Sequence, residues 1–229
     1  MNPDLPGSIA AVDDPQVLAD LNHDGILDLV MVTRDWSVNE DGEVIQGTVP
    51  YYYLVDGASN SILWQWKIGS PAVAPDRYLG MSACSAQVDF NTPPDGYDDI
   101  YVSSYADFTP GELLIISGKD GKVLGRVIHP DFPHFGVDNL CVVRDVTGDG
   151  IADLITESGE TTLSLFAGPV SIPESGVVGI SDPVWSFNSK GTSISIPKDL
   201  DGDGSEEICV SSSVAGSKVV TTISTATGL

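Results

Sequence analysis

The chain has 229 residues and a formal net charge of −23, with 33 acidic against 10 basic side chains. That balance excludes electrostatic binding to nucleic acid or to an anionic membrane surface. No apolar run is long enough for a membrane-spanning helix, and Met1-Asn-Pro-Asp-Leu-Pro lacks the basic start and apolar stretch of a secretory leader.

A first apolar run, residues 17–19, leads into Asp20-Leu-Asn22-His-Asp24-Gly25-Ile-Leu-Asp28, and the strand-like Leu29-Val-Met-Val follows. Runs at 51–55 and 62–66 then flank a polar turn that begins Asp56-Gly57. The same order returns with 82–86, a stretched loop Asp89-Phe-Asn91-Thr-Pro-Pro-Asp95-Gly96-Tyr-Asp98-Asp99, 100–103, 113–116, the turn Ser117-Gly118 and 123–128. A third copy has 140–143, Asp145-Val-Thr147-Gly-Asp149-Gly150-Ile-Ala-Asp153, 154–156, 163–166 and 184–187. The fourth has 193–196, Asp199-Leu-Asp201-Gly-Asp203-Gly204-Ser-Glu-Glu207, 208–210, 219–223 and the turn Ser224-Thr225.

Four short β-rich runs per unit, with no helical periodicity, predict an all-β chain: a β-propeller of four-stranded antiparallel blades. The blades fall at about 1–77, 78–131, 132–189 and 190–229 of a single propeller, and the last lacks its outer strand because the turn at 224 runs to the end of the sequence. Two readings stay open: further blades in a longer chain, or a small ring closed by residues 7–12.

The acidic loops ask for a cation. Calcium takes six to eight oxygens at roughly 2.3–2.6 Å and tolerates irregular geometry. Side-chain oxygens stand at positions 1, 3, 5 and 9: Asp20, Asn22, Asp24 and Asp28; Asp89, Asn91, Asp95 and Asp99; Asp145, Thr147, Asp149 and Asp153; Asp199, Asp201, Asp203 and Glu207. Position 7 adds the carbonyl of Ile26, Tyr97, Ile151 or Ser205. Two carboxylates about 4 Å apart repel by roughly 4 kcal/mol at an effective dielectric of about 20, so converging carboxylates splay unless a cation joins them. Up to four calcium ions are expected, the third loop being the weakest regular one because Thr147 is neutral. An EF-hand is excluded: it needs a bidentate Glu at position twelve and flanking helices, whereas Met31, Thr156 and Val210 stand there.

The pattern resembles the FG-GAP repeats of integrin α-subunit β-propellers and their bacterial relatives, most clearly in Phe135-Gly136 ahead of 140–143 and the loop Asp145–Asp153, and more weakly in Leu79-Gly80 ahead of Asp89. No Gly-Ala-Pro follows the second strands, which departs from the integrin form. The resemblance implies metal loops on one face of the disc and partners on the other, built here by 33–47, 69–78, 105–111 and 129–135. Those segments carry Trp36, Arg77, Tyr78, Tyr105, His129, Phe132 and His134, residue types that make hot spots or stack on sugars. An extracellular protein or glycan is the implied partner.

Trp64, Trp66 and Trp185 sit on outer strands and read as packing, as do Cys84, Cys141 and Cys209, although Cys84 and Cys141 on neighbouring first strands leave a disulfide open. No nucleophile elbow, phosphate loop or zinc signature occurs. A binding or adhesion module outside the cytoplasm is the expected function, where calcium is abundant; a polysaccharide lyase or hydrolase and a structural spacer are the alternatives.

Overall fold

A computed structural model of the chain describes residues 11–17, 19–34, 36–38, 44–46, 51–67, 78–106, 109–132, 135–136, 139–159, 161–188, 191–214 and 217–228. Among these residues there is no helix, and the strands gather into sheets that are antiparallel except for one parallel pair. Strands β1 (Ala11–Val17) and β2 (Leu29–Arg34) are followed by a small hairpin, β3 (Trp36–Val38) with β4 (Val44–Gln46), and then by β5 (Tyr51–Val55) and β6 (Ile62–Lys67). The first sheet has the order β1-β2-β5-β6. The second is β7 (Tyr78–Ser85), β8 (Ile100–Ala106), β9 (Thr109–Ile116) and β10 (Val123–Ile128), in sequence order. The third takes β11 (Leu140–Val143), β12 (Asp153–Gly159) and β13 (Thr162–Phe166), makes an excursion through β14 (Val177–Gly179), and ends with β15 (Trp185–Asn188). The fourth holds three strands: β16 (Gly191–Lys198), β17 (Glu207–Val214) and β18 (Ser217–Ser224).

Middle strands are covered on both faces, which is why they read as near-continuous apolar runs rather than alternating ones. Alternation instead decides which neighbour each side chain meets. Ile100, Val102, Leu114 and Ile116 pack with Leu21, Val30, Leu54 and Trp64 of the first unit. Tyr101, Leu113 and Ile115 point the other way, into a layer with Leu140, Val142, Leu154 and Phe166. Ile155, Leu163 and Leu165 leave that layer for one shared with Ile208, Val210 and Ile223. Three apolar layers thus join four sheets in chain order.

The seams are sealed in two ways. Trp64 on β6 is buried and donates its indole N–H to the Gly118 carbonyl of the next unit at 3.0 Å. Trp185 on β15 does the same to the Thr225 carbonyl at 2.7 Å. On β10 the matching residue is Gly125, where a Cβ would lie 2.9 Å from Ile172 Cγ2. There the excursion of the third unit fills the space, and β14 pairs in parallel with β10 as a fifth strand.

Several expectations need adjusting. The first strand lies at Ala11–Val17, ahead of the apolar run that pointed to 17–19, and it pairs through a register irregularity at its Asp-Asp-Pro stretch. Residues 11 and 12 pair with Thr33 and Arg34 of the first sheet, so this part of the segment considered for closing the fourth unit belongs elsewhere. Among the described residues no apolar layer joins the fourth sheet to the first. The connection 33–47 contains a hairpin, and β14 has no counterpart in the four-strand pattern. Cys84, Cys141 and Cys209 are free thiols; burial pushes the Cys141 thiol up to about 12 and raises that of Cys84 as well.

Candidate metal centre

The acidic loops join first to second strand in every sheet: β1 to β2, β7 to β8, β11 to β12 and β16 to β17. Cross-strand register sets the residue after each loop opposite the end of the third strand, in the pairs Leu29 with Val55, Ile100 with Ile116, Leu154 with Phe166 and Ile208 with Ile223. Each loop therefore lies beside the turn that follows its third strand.

Position 1 organises the loop backbone. Asp20 accepts amide hydrogens from Asp24 and Gly25 at 2.9 and 2.8 Å, Asp89 from Asp95 and Gly96 at 2.7 and 2.9 Å, and Asp145 from Gly148 and Gly150 at 2.6 and 2.7 Å. In the fourth loop Asp199 accepts from Gly202 and Gly204 at 2.6 and 3.0 Å. The chain reverses at position 6 with φ of 92°, 85°, 89° and 92° at Gly25, Gly96, Gly150 and Gly204, a region that glycine occupies without steric cost. The amides of Gly150, Gly148 and Asp149 hold the Asp145 carboxyl below the usual carboxylate range. Burial works against charge on Asp89, yet the amides of Gly96, Asn91 and Asp95 outweigh it and its carboxyl is lowered too.

Position 9 is buried in every copy, at Asp28, Asp99, Asp153 and Glu207. Three copies share one clamp. One oxygen of the aspartate accepts from the loop itself, from Leu21 N at 2.9 Å, Phe90 N at 2.6 Å or Val146 N at 2.7 Å. The other accepts from the glycine after the third strand, Gly57, Gly118 or Gly168, at 3.0, 3.2 and 3.1 Å. Glycine is required there because a Cβ would sit 2.0, 2.1 and 2.0 Å from the carbonyl oxygens of Leu27, Asp98 and Ala152. Burial, with Asp89 and Asp95 nearby, raises the Asp99 carboxyl to about 7 against the pull of the Phe90 and Gly118 amides.

The fourth copy departs from this. Thr225 stands at the glycine position, and its amide donates to the Glu206 carbonyl at 2.9 Å. Glu207, one methylene longer than aspartate, accepts from Leu200 N through Oε2, while its buried Oε1 has no hydrogen-bond partner among the described residues. Ligand atoms of Asp199, Asp201, Asp203 and Glu207 lie within 4.8 Å of one another, as do those of Asp145, Asp149 and Asp153. Oxygens on opposite sides of a calcium ion stand about 5 Å apart, so both groups fit one. Among the described residues the first two loops do not reach that spacing. In the first, Asn22 turns its amide to Asp56 at 3.3 Å; in the second, Asn91 Nδ2 lies 3.2 Å from both Asp89 and Asp99.

Neighbouring loops also touch. His23 Nε2, exposed and outside the ligand positions, lies 3.7 Å from Asp98, and Arg144 Nε lies 3.2 Å from Glu206. Gly57 and Gly118 stand in the turn that recurs after the third strand in the sequence, Gly168 does not follow that turn's pattern, and the role of all three depends on a backbone approach that no periodicity reveals.

The residues expected on the opposite side are placed unevenly. Tyr78 and Tyr105 stand opposite one another at the end of the β7–β8 pair away from its loop, and Trp36 opens β3. Arg77 and His134 lie outside the described residues. His129 is 3% exposed; its ring stacks on Phe132 at 4.1 Å and lies near Phe135 and Phe166. Its Nδ1 accepts from the Asp131 amide at 3.2 Å, and Nε2 lies 3.7 Å from Asp182. His129 and Phe132 therefore sit at the second apolar layer. Phe135 is fully buried there, and Gly136 lies so close that a Cβ would meet Leu113 Cδ2 at 2.5 Å.

No protein-family model matches the chain, and no curated protein matches it. Among solved structures, a rhamnogalacturonan lyase of Bacillus licheniformis, PL11, is similar over 86% of this chain and 39% of its own, with 16% identity and a TM-score of 0.51. Rhamnogalacturonan lyase YesW is similar over 88% and 41%, with 15% identity and a TM-score of 0.52. These likenesses concern the fold. The chain spans about two fifths of the length of either lyase.

Proposed function

We propose that the chain is a run of four successive blades of a calcium-stabilised β-propeller of FG-GAP type, working outside the cytoplasm as a carbohydrate-directed binding module. The observation that carries the metal half of this reading is the convergence of Asp199, Asp201, Asp203 and Glu207 at the corner of the fourth sheet, repeated at the third. The propeller half is supported by four sheets joined in chain order through three apolar layers, and by Phe135-Gly136 serving as a packing pair. Carbohydrate is favoured over a protein ligand because both similar structures carry the name of a lyase acting on rhamnogalacturonan.

Calcium would supply the positive charge that lets buried carboxylates converge, and its binding energy becomes folding energy because ligation and loop closure are linked. Removing it with chelator should lower the melting temperature by several degrees, and calcium, but not magnesium, should restore it. Unchanged melting, with no metal found by elemental analysis, would overturn the metal reading. Binding to immobilised rhamnogalacturonan, without release of product, tests the carbohydrate half.

A second reading, a portion of a lyase, is favoured by the same names. Such an enzyme needs a base and a cation converging on the sugar. Among the described residues the histidine placed nearest to that role, His129, is packed into the core. Release of unsaturated uronides from the polysaccharide would decide for the enzyme.

A further inference from the structure

We propose that the four loops are two kinds of calcium site, set apart by one exchanged residue pair, and that the fourth is the one filled first and the one that needs the ion to hold its shape. This rests on the calcium reading above and adds which loop binds most tightly and why. In the first three loops the position-nine aspartate spends both oxygens on backbone amides, one from the loop and one from the clamp glycine. That carboxylate is satisfied with no ion present, so the corner is held in place already.

In the fourth loop the pair Asp and Gly becomes Glu207 and Thr225. A threonine Cβ cannot make the 2.0–2.1 Å approach seen at the clamp glycines, so the turn backs away and its amide bonds the Glu206 carbonyl instead. The amide that would have met position nine is thereby withdrawn. The longer glutamate still reaches the loop through Oε2 and Leu200 N, which leaves Oε1 buried without a donor among the described residues. A buried carboxylate oxygen with no partner is costly, and a cation is the partner that three neighbouring carboxylates already favour. Position three adds to the contrast: Asp201 carries a charge where Asn22, Asn91 and Thr147 do not. Four converging carboxylates against three at the third loop give the fourth the stronger attraction for a divalent ion.

Hydrogen exchange followed by mass spectrometry, with calcium titrated into the chelated chain, reads each loop separately. The peptide over 199–207 should gain protection at a calcium concentration at least tenfold below that needed by 145–153, and the first two loops should follow last; this reverses the order expected from the neutral Thr147, because the carboxylates of the third loop converge and those of the first do not. Glu207→Gln keeps the shape and the Leu200 contact but removes the charge, and should raise the calcium needed at 199–207 at least tenfold while leaving 145–153 unchanged. The double exchange Glu207→Asp with Thr225→Gly should restore the clamp: 199–207 is then better protected than in the wild type before calcium is added, and its calcium step moves up to the concentration needed by 145–153. Protection of all four loops at one calcium concentration would overturn the proposal while leaving calcium binding intact, as would an early step that survives Glu207→Gln. No response of any loop at any calcium concentration would overturn the calcium reading itself.

Discussion

The seam between the first and second sheets and the seam between the second and third solve one problem with different material. At the first, Trp64 fills the gap and bonds the Gly118 carbonyl. At the second, Gly125 stands where the indole would be, and Ile172 with β14 come across from the third unit to fill the space. One seam is closed by a side chain from the earlier unit, the other by backbone and an aliphatic side chain from the later one. The contrast also shows how the acidic loops are tied to the packing. Gly118 receives Trp64 on its carbonyl and gives its amide to Asp99, so a single peptide turn carries both the seam and the clamp of the second loop. Among the described residues no tryptophan bonds the Gly168 turn, as β10 has none to offer.

Breaking the first seam should have the largest effect. Trp64→Ala removes a buried indole and leaves the Gly118 carbonyl without its donor, and should cost about 3–5 kcal/mol in denaturant unfolding. Trp64→Phe, which keeps most of the volume and loses only the hydrogen bond, should cost about 1–3 kcal/mol. Equal losses in the two variants would mean that the bond, and not the filled volume, closes this seam. Trp185→Ala should fall below Trp64→Ala, since Trp185 is only half-buried.

Next comes the turn that joins seam and clamp. In Gly118→Ala the new methyl would lie 2.1 Å from the Asp98 carbonyl oxygen, a backbone atom that cannot swing aside. The turn must move away from the loop, at a cost of about 2–4 kcal/mol. Both partners of that turn should register the change: exchange at the amides of 89–99 should quicken, and the fluorescence of Trp64 should shift as its acceptor departs. Wild-type exchange at 89–99 in the alanine variant would show that the Asp99 clamp does not depend on the close approach.

The contrast between the seams also separates what the sequence made legible from what it hid. Middle strands such as β8 and β12 declared themselves because burial on both faces favours apolar and β-branched runs, here Ile100-Tyr-Val and Leu154-Ile-Thr. The acidic repeat marked the first turn of each unit because carboxylates and a glycine at fixed spacing have few other uses. β1 was displaced in the reading because Asp13, Asp14 and Pro15 look like a turn, yet the strand absorbs them as an irregularity in its register. β14 was hidden for a different reason. Three residues, Val177-Val-Gly, gain strand character only from a parallel partner some fifty positions away, and local pattern carries no trace of it. The glycine clamps lay between these cases, with Gly57 and Gly118 visible in a recurring turn and the contact that demands them, and Gly168, visible only in three dimensions.

The smallest expected effect tests the second seam, where the comparison is sharpest. In Gly125→Ala the methyl meets the Ile172 Cγ2 methyl at 2.9 Å, and the nearest backbone atom, the Gly176 carbonyl oxygen, is at 3.2 Å. A half-buried side chain can shift by a few tenths of an ångström where a carbonyl in direct collision cannot, so the cost should be about 1 kcal/mol, well under that of Gly118→Ala. Ile172→Ala alone should cost about 1–2 kcal/mol, because the side chain is half-buried. Combined, the two substitutions should cost less than the sum of the singles, since the room vacated by isoleucine accepts the new methyl. Strict additivity would mean that the methyl is resisted by the Gly176 carbonyl instead, and that backbone, through β14, is what closes the seam where the tryptophan is absent.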